Sequence, residues 1–384
     1  MSTDYLNPVL LTPNLVYGIN QWGNKIQIYS TNKPLPTLDK IQLAIIGVEE
    51  DRSAERGCML APNAVRDQLY QLYFWWSGLQ IVDLGNIKAG ETSKDTYFAV
   101  QSVVAELLQL GIIPIIIGGT HDISYGQFGG HALAEKETQL VVIDEKIDLF
   151  SSSLDYETQN QSFLYRLITQ KSTLSHFTQV GFQRHLVDPY LVESIEKLGF
   201  DAYSVGELRN KLPDLEPIVR DVQMVSIDMS AARLADAPGV SHASPNGFSG
   251  EDLCQLTRYV GLSDHVRSLG IYEYNPLLDR QAQTASLVAQ MVWYFVDGYY
   301  ERKHDFPQHD ERNYIPYIVN FKDNDYELVF LKSKKSDRWW VRVPIGSAKQ
   351  NTYKLLPCTY RDYETACRDE VPDRWLRAYW RWNR

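Results

Sequence analysis

One histidine and three aspartates stand where apolar runs of the chain break off. Ile115-Ile116-Ile117-Gly118-Gly119-Thr120-His121-Asp122 reads as a buried strand that stops at two glycines and hands a histidine to a sheet edge. Val141-Val142-Ile143-Asp144 continues into Glu145-Lys146-Ile147-Asp148, and Met224-Val225-Ser226-Ile227-Asp228 continues into Met229-Ser230. In an open α/β protein, ligands bind at the carboxyl ends of the strands. A histidine with three aspartates suits one hard or borderline divalent metal, so His121, Asp144, Asp148 and Asp228 form the expected ligand set. Lys146 lies in the middle of that set.

These residues need a parallel sheet to bring them together, and the rest of the chain supplies its pattern. Strand-like runs at Leu43 to Val48, Leu79 to Leu84, Ile112 to Ile117, Leu140 to Ile143, Phe177 to Phe182, Val222 to Ile227 and Arg267 to Tyr272 alternate with helix-like runs. The helices are expected at Pro62 to Tyr73, Ser93 to Leu110, Ser124 to Glu137 and Ala282 to Tyr300. Pro62 suits a first helical turn and Gly111 a stop. Near-continuous apolar strands alternating with helices predict a three-layer α/β/α domain with a mostly parallel sheet. We place it at 41–303, after an N-terminal segment 1–40. Residues 304–384 change character, with 15 Lys and Arg against 12 Asp and Glu in a chain of net charge −10. Alternating strands at Tyr326 to Lys332 and Trp339 to Val343 predict a small β-containing C-terminal appendage there. Its Trp339, Trp340, Trp375, Trp380 and Trp382 beside Arg374 to Arg384 read as packing with a solvated face, or as a docking surface.

With 44% hydrophobic and 22% charged residues, composition is that of an ordinary globular protein. The acidic balance argues against nucleic-acid binding. No apolar run approaches the ~18 residues that span a bilayer, so no membrane is expected. Cys58, Cys254, Cys358 and Cys367 lie far apart with no metal-type spacing, which suggests a reduced, cytoplasmic protein.

The strand ends together resemble the ureohydrolase family of arginases, agmatinases and formimidoylglutamases, over about residues 40–303. The motifs are Gly118-Gly119-Thr120-His121-Asp122, Asp144-Glu145-Lys146-Ile147-Asp148, Ser226-Ile227-Asp228-Met229-Ser230 and Glu273-Tyr274-Asn275-Pro276. The loop from Ala237-Pro238-Gly239-Val240-Ser241 to Gly247 and the stretch from Gly47 to Arg66 also resemble family segments. The resemblance implies an arginase-like fold, a homo-oligomer and a manganese pair that activates water against a guanidinium or amidine carbon. It places His121, Asp144, Asp148 and Asp228 as ligands of one metal and Glu273 in the substrate pocket. The private ligands of the second metal fall at Lys146 and Ser230, which are not ligand types. The family's active-site histidine has no counterpart between Leu149 and Arg166.

A charge count follows. Three carboxylates balance one divalent metal plus the Lys146 ammonium, so Lys146 is expected among the aspartates as a stand-in for the second metal. The expected cofactor is a single divalent metal, manganese, and no manganese pair. Blander readings stay open. His121 could be a structural hydrogen-bonding residue, Asp144 and Asp148 could pair with Lys146 without a metal, Asp228 could cap its loop, and Glu273 could be a core-edge carboxylate. Two functions follow. The first is a ureohydrolase fold that has lost binuclear chemistry and binds a small guanidino or amidine molecule or a partner. The alternative is a one-metal hydrolase of carbon–nitrogen bonds in linear amidines, with Asp148, Lys146 and Glu273 as its catalytic groups.

Overall fold

The computed structural model describes residues 3–10, 16–52, 57–149, 162–169, 173–209, 211–307, 311–321, 327–346 and 352–383. In chain order the main body contains β1 (Leu6–Asn7), α1 (Trp22–Lys25), β2 (Gln27–Ile28), β3 (Leu43–Val48), α2 (Ala61–Leu69), β4 (Ile81–Ile87), α3 (Ser93–Gln109), β5 (Ile113–Ile117) and α4 (Ser124–Ala134). It continues with β6 (Thr138–Ile143), α5 (Phe163–Thr169), β7 (Leu174–Phe182), α6 (Pro189–Lys197), β8 (Asp201–Ser204), α7 (Val205–Leu208), α8 (Glu216–Val219), β9 (Met224–Asp228), α9 (Gly250–Leu262), β10 (Ser268–Tyr272) and α10 (Gln283–Tyr300).

Among the described residues, the main sheet has ten strands in the order β1-β4-β3-β5-β10-β9-β6-β7-β8, with β2 also on β4. All pairings are parallel except that of β1 with β4. The N-terminal segment thus finishes one edge of the sheet. Alternate residues of each strand enter opposite layers. Ile45, Ile115, Ile117, Val141 and Ile271 pack with α2, α9 and α10. Ile46, Val82 and Ile116 pack with Val100, Val103 and Leu107 of α3. Val142, Leu140 and Phe177 pack with Phe128, Phe163 and Ile195 of α4 to α6. Two-sided burial with period two explains the unbroken apolar runs. The three-layer α/β/α expectation holds, with element ends within a few residues of those predicted.

The appendage is a separate four-stranded antiparallel sheet, β11 (Tyr314–Asn320), β12 (Glu327–Ser333), β13 (Trp339–Pro344) and β14 (Tyr353–Cys358), followed by α11 (Tyr360–Cys367) and α12 (Asp373–Trp382). Tyr326 and Arg384 of the sequence reading lie outside the described residues. Trp339, Trp340 and Trp375 are buried, whereas Trp380 is 62% exposed. Arg220 fastens the appendage from beneath: it donates to the Trp339 carbonyl at 2.7 Å and lies 4.6 Å over the Trp340 ring. Among the described residues all four cysteines are free thiols, and no helix is long and apolar enough to cross a membrane.

Candidate metal centre

Four neighbouring strands, β5, β10, β9 and β6, run parallel and end side by side. The residues singled out in the sequence are at those ends. Gly118 and Gly119 turn the chain away from β5 with φ of +86° and +78°. A Cβ on Gly118 would come within 2.7 Å of the Pro62 ring, so glycine is needed for both conformation and space. A single turn, His121–Ile123, then leads into α4 and points the imidazole over the sheet edge. Glu273, one residue past β10, adopts φ +64°, unusual for a side-chain-bearing residue. Its amide donates to the Gly119 carbonyl at 3.1 Å, which ties the two strand ends together.

His121 is the centre of the cluster. Its Nδ1 lies 3.0 Å from Asp148 Oδ2 and 3.4 Å from both Asp144 Oδ2 and Asp228 Oδ2. Ligand atoms of His121, Asp144 and Asp148 all fall within 4.8 Å of one another. All four side chains are buried. On the far side of the ring, Nε2 lies 3.0 Å from Ser226 Oγ. With its proton on Nε2, the ring turns the Nδ1 lone pair toward the carboxylates, as a metal ligand requires. One imidazole nitrogen and three carboxylates fit one divalent metal of the manganese or zinc type.

The electrostatics agree. Burial, then repulsion from Asp144, push Asp148 up to about 7, against the pull of His121. Burial and Asp144 likewise hold Asp228 well above the usual carboxylate range. Burial alone would lower His121, but hydrogen bonds to Asp144 and Asp148 and the charge of Asp228 raise it well above its ordinary value. Three carboxylates meeting a single imidazole are short of positive charge and hold protons in its place.

One expectation fails. Lys146 does not join the aspartates: its Nζ pairs with Glu145 Oε1 at 3.6 Å, and the side chain is 36% exposed. Only its backbone serves the site, the amide donating to Asp144 Oδ1 at 3.0 Å. The chain bends at Glu145-Lys146 just past β6, which breaks the two-residue alternation that would have put Lys146 beside Asp144 and Asp148. Asp144 and Asp148 face inward, and Glu145 is turned to Gln183 Nε2 at 3.2 Å, so Glu145 offers Lys146 the nearer carboxylate at the rim. The charge balance that used Lys146 as a second cation is therefore withdrawn, and with it a metal-free Asp144–Lys146–Asp148 salt-bridge cluster. Ser230 does enter the cluster, its hydroxyl donating to Asp144 Oδ1 at 3.1 Å and its amide to Asp228 Oδ1 at 2.7 Å.

Glu273 is in place beside the centre. It accepts from the His121 amide at 2.9 Å with Oε1, and Oε2 lies 4.0 Å from Cys58 Sγ. It lines a cavity of about 50 Å³ with Asp144, Glu145, Lys146, Asp148, Asp228, Ser230 and the Val240-Ser241-His242 loop. That volume takes an ion and a reacting group, not a whole amino-acid derivative. A far larger groove, about 920 Å³ between α2, α9 and α10, holds none of these groups. The sequence reading passed over Ser226, Glu145 and His242. Ser226 was detectable, since it lies two residues before Asp228 and so shares its face of β9. Nothing in the sequence marked His242 beyond its place in the Pro238-Gly239 loop. Most of the segment read as lacking an active-site histidine, at 150–161, is outside the described residues.

With the geometry established, comparison with known proteins is direct. The arginase family model matches residues 41–297. A formimidoylglutamase of Lysinibacillus sphaericus is 28% identical over 273 residues, 66% of this chain and 84% of that protein. A formimidoylglutamase of Vibrio cholerae is 29% identical over 280 residues, 65% and 82% of the two chains. Among solved structures, formimidoylglutamase from Bacillus subtilis superposes with TM-score 0.68 at 20% identity, covering 77% of this chain and 97% of the other. Trypanosoma cruzi formiminoglutamase with Mn2+ superposes with TM-score 0.65 at 20% identity, covering 69% and 96%. A family model that spans β3 to β10, a shared fold, and a carboxylate–histidine cluster at the sheet's carboxyl edge lead to one conclusion: the chain belongs to the arginase family.

Proposed function

We propose that this protein hydrolyses a carbon–nitrogen bond of a small linear amidine of the formimidoyl type, using one divalent metal, manganese, held by His121, Asp144, Asp148 and Asp228. The carrying observation is the convergence of three buried carboxylates on His121 Nδ1 with the Lys146 ammonium turned away from them. The names of the relatives support the substrate class. When bound, a metal there supplies Lewis-acid activation of water. The chain's own groups do the rest. Asp148, which lines the cavity, accepts the proton released by water. Glu273 lies at the cavity wall, where a carboxylate attracts an amidinium carbon's two nitrogens. Lys146 and Glu145 line the rim, so Lys146 attracts the substrate's distal anion and is not a catalytic group.

A second reading, that the fold now binds an amidine without turning it over, is favoured by Lys146 and Ser230 at the positions that resemble the second metal's ligand sites. The two separate by experiment. Elemental analysis is expected to give one manganese per chain. Turnover of formimidoylglutamate, agmatine and arginine with added manganese is then measured. Ordinary turnover of one substrate supports the hydrolase. Rates down ~100-fold, equal to ~3 kcal/mol of transition-state stabilisation, sink it and leave the binding reading. The double change Lys146→His with Ser230→Asp is expected to add a second manganese equivalent.

A further inference from the structure

Among the described residues, the cavity beside Glu273 is lined by a single histidine, His242, which is not one of the expected metal ligands. It is exposed, and among the described residues it has no hydrogen-bond or ion-pair partner. Other histidines are engaged away from this cavity: His131 lies 2.7 Å from Ser268 Oγ, His176 lies 3.0 Å from Asp201, and His304 lies 3.4 Å from Asp264. The loop that carries His242 is anchored on both sides of it. Before it, the Gly239 amide donates to Thr284 Oγ1 at 2.8 Å, and the Gly239 carbonyl accepts from the Asn275 amide at 2.8 Å. A Cβ on Gly239 would come within 2.8 Å of the Tyr274 ring, so the loop packs directly on the strand end that carries Glu273. After it, Ser244 donates to Gln183 Oε1 at 3.2 Å, and the Asn246 carbonyl accepts from Gln183 Nε2 at 3.0 Å. These anchors confine His242 to the cavity wall, so little further ordering is needed when a ligand arrives.

The cavity, about 50 Å³, admits the amidine head of a substrate and leaves the rest of the molecule at the mouth. The two nitrogens of a linear amidine are then not equivalent. The unsubstituted one enters toward Glu273. The substituted one, which departs as an amine, stays at the mouth, where the exposed His242 is. An amine does not leave as its anion, so that nitrogen needs a proton before its bond to carbon breaks. The other titratable groups lining the cavity are Asp144, Glu145, Lys146, Asp148, Asp228 and Glu273. Carboxylates here attract protons, and Lys146 is paired with Glu145 at 3.6 Å. An ordinary ammonium gives up its proton far less readily near neutral pH than an imidazolium does.

We propose that His242 is a catalytic residue, the proton donor to the departing nitrogen of a linear amidine, which rests on the hydrolase reading of this site. Water adds through its oxygen to the amidinium carbon, and its proton passes to Asp148. His242 gives a proton to the substituted nitrogen, and the carbon–nitrogen bond breaks with its electron pair going to that nitrogen. The new hydroxyl returns a proton to His242 as the carbonyl forms. The products are an amide and an amine, and the amine takes up the proton held by Asp148.

The test uses the full chain with manganese and two substrates. One is formimidoylglutamate. The other is para-nitrophenyl formamidine, whose nitroaniline leaves with much less need of a proton. His242→Gln keeps a hydrogen-bond donor at the wall but cannot pass a proton. It is expected to lower kcat on formimidoylglutamate about 100-fold with KM within about twofold, and kcat on the nitrophenyl substrate less than about threefold. Manganese affinity should stay within about twofold of wild type, since no ligand is lost. His185→Gln, which removes an exposed imidazole just past β7, is the control and should leave all of these readouts unchanged. Equal losses on both substrates, or a fall in manganese affinity, would give His242 a binding or structural task and overturn the proposal. Wild-type protein that turns over neither substrate sinks the hydrolase reading and the proton donor with it. Active wild-type protein with an indifferent His242→Gln removes the donor alone.

Discussion

Two buried charge clusters of this molecule carry the same residue types and behave in opposite ways. At the carboxyl edge of the sheet, Asp144, Asp148 and Asp228 share one imidazole. Under the appendage, Asp201 of β8 alone receives His176 Nε2 at 3.0 Å, Arg381 Nη2 at 3.2 Å and Arg377 Nη1 at 3.5 Å, the two arginines coming from α12. Burial would raise both sets of carboxyls. At Asp201, His176, Arg381 and Arg377 overcome burial and hold the group down to about 2. At Asp148 nothing of that strength is present, and burial with Asp144 drives it up to about 7. Burial also lowers Arg381, but from so high a value that it stays charged. The junction is thus a completed ionic lock. At the sheet edge, among the described residues, three carboxylates share the single His121 imidazole, and Lys146, the neighbouring ammonium, pairs with Glu145 instead.

The comparison breaks most easily at the sheet edge. Asp144→Ala is expected to weaken manganese binding by at least ~100-fold, a larger loss than removal of a supporting partner gives. Asp201→Ala should leave the affinity alone. Titration of both variants with manganese decides, and equal losses would mean that the two clusters are not distinct. Stability should answer in mirror image. Asp201→Asn leaves Arg377, Arg381 and His176 without their shared anion and is expected to lose about 2 kcal/mol in denaturant unfolding, discounted for partial exposure of the arginines. An unchanged midpoint would show that the junction carries no such lock.

Acid should act on the junction with a definite sign. The Asp201 carboxyl is held below its unfolded value of 3.8, at about 2, so the folded state binds its proton less readily. Its contribution is whole above pH 3.8 and is lost as pH falls from there through about 2. Acid unfolding of wild type and Asp201→Asn should converge across that window. Curves that stay parallel would remove Asp201 as the cause. The smallest effect is expected from Lys146→Met. Because Nζ lies at the rim on Glu145, manganese affinity should change less than about twofold, in line with the weakness of exposed pairs. A tenfold gain or loss would return Lys146 to the cluster.

Much of this was written in the linear chain. Strands β3, β5, β6, β9 and β10 appear as largely apolar runs because a parallel sheet covered on both faces favours them, with the buried Ser226 and Ser268 as hydrogen-bonded exceptions. His121, Asp144, Asp148, Asp228 and Glu273 mark their ends for the same reason: polarity can begin only where the covered layer stops. Short helices were less visible. Val205–Leu208 and Glu216–Val219 are four-residue pieces, too brief for any period to show. The appendage showed two of its four strands, since exposed antiparallel strands such as Tyr314–Asn320 alternate weakly.

The sequence by itself determined the family fold and the donor atoms of the centre, because burial and backbone hydrogen bonding impose patterns on consecutive residues. Only the tertiary structure decided where the charges point. Lys146 has carboxylates on three sides in sequence, and a flexible stem lets it reach any of them. Its choice of Glu145 follows from Gln183, one residue past the end of β7. Asp201 meets arginines 176 and 180 positions away, and His121 Nε2 meets Ser226, 105 positions away. Such partners are set by which elements pack together, and electrostatic energy depends on distance in space rather than on position along the chain.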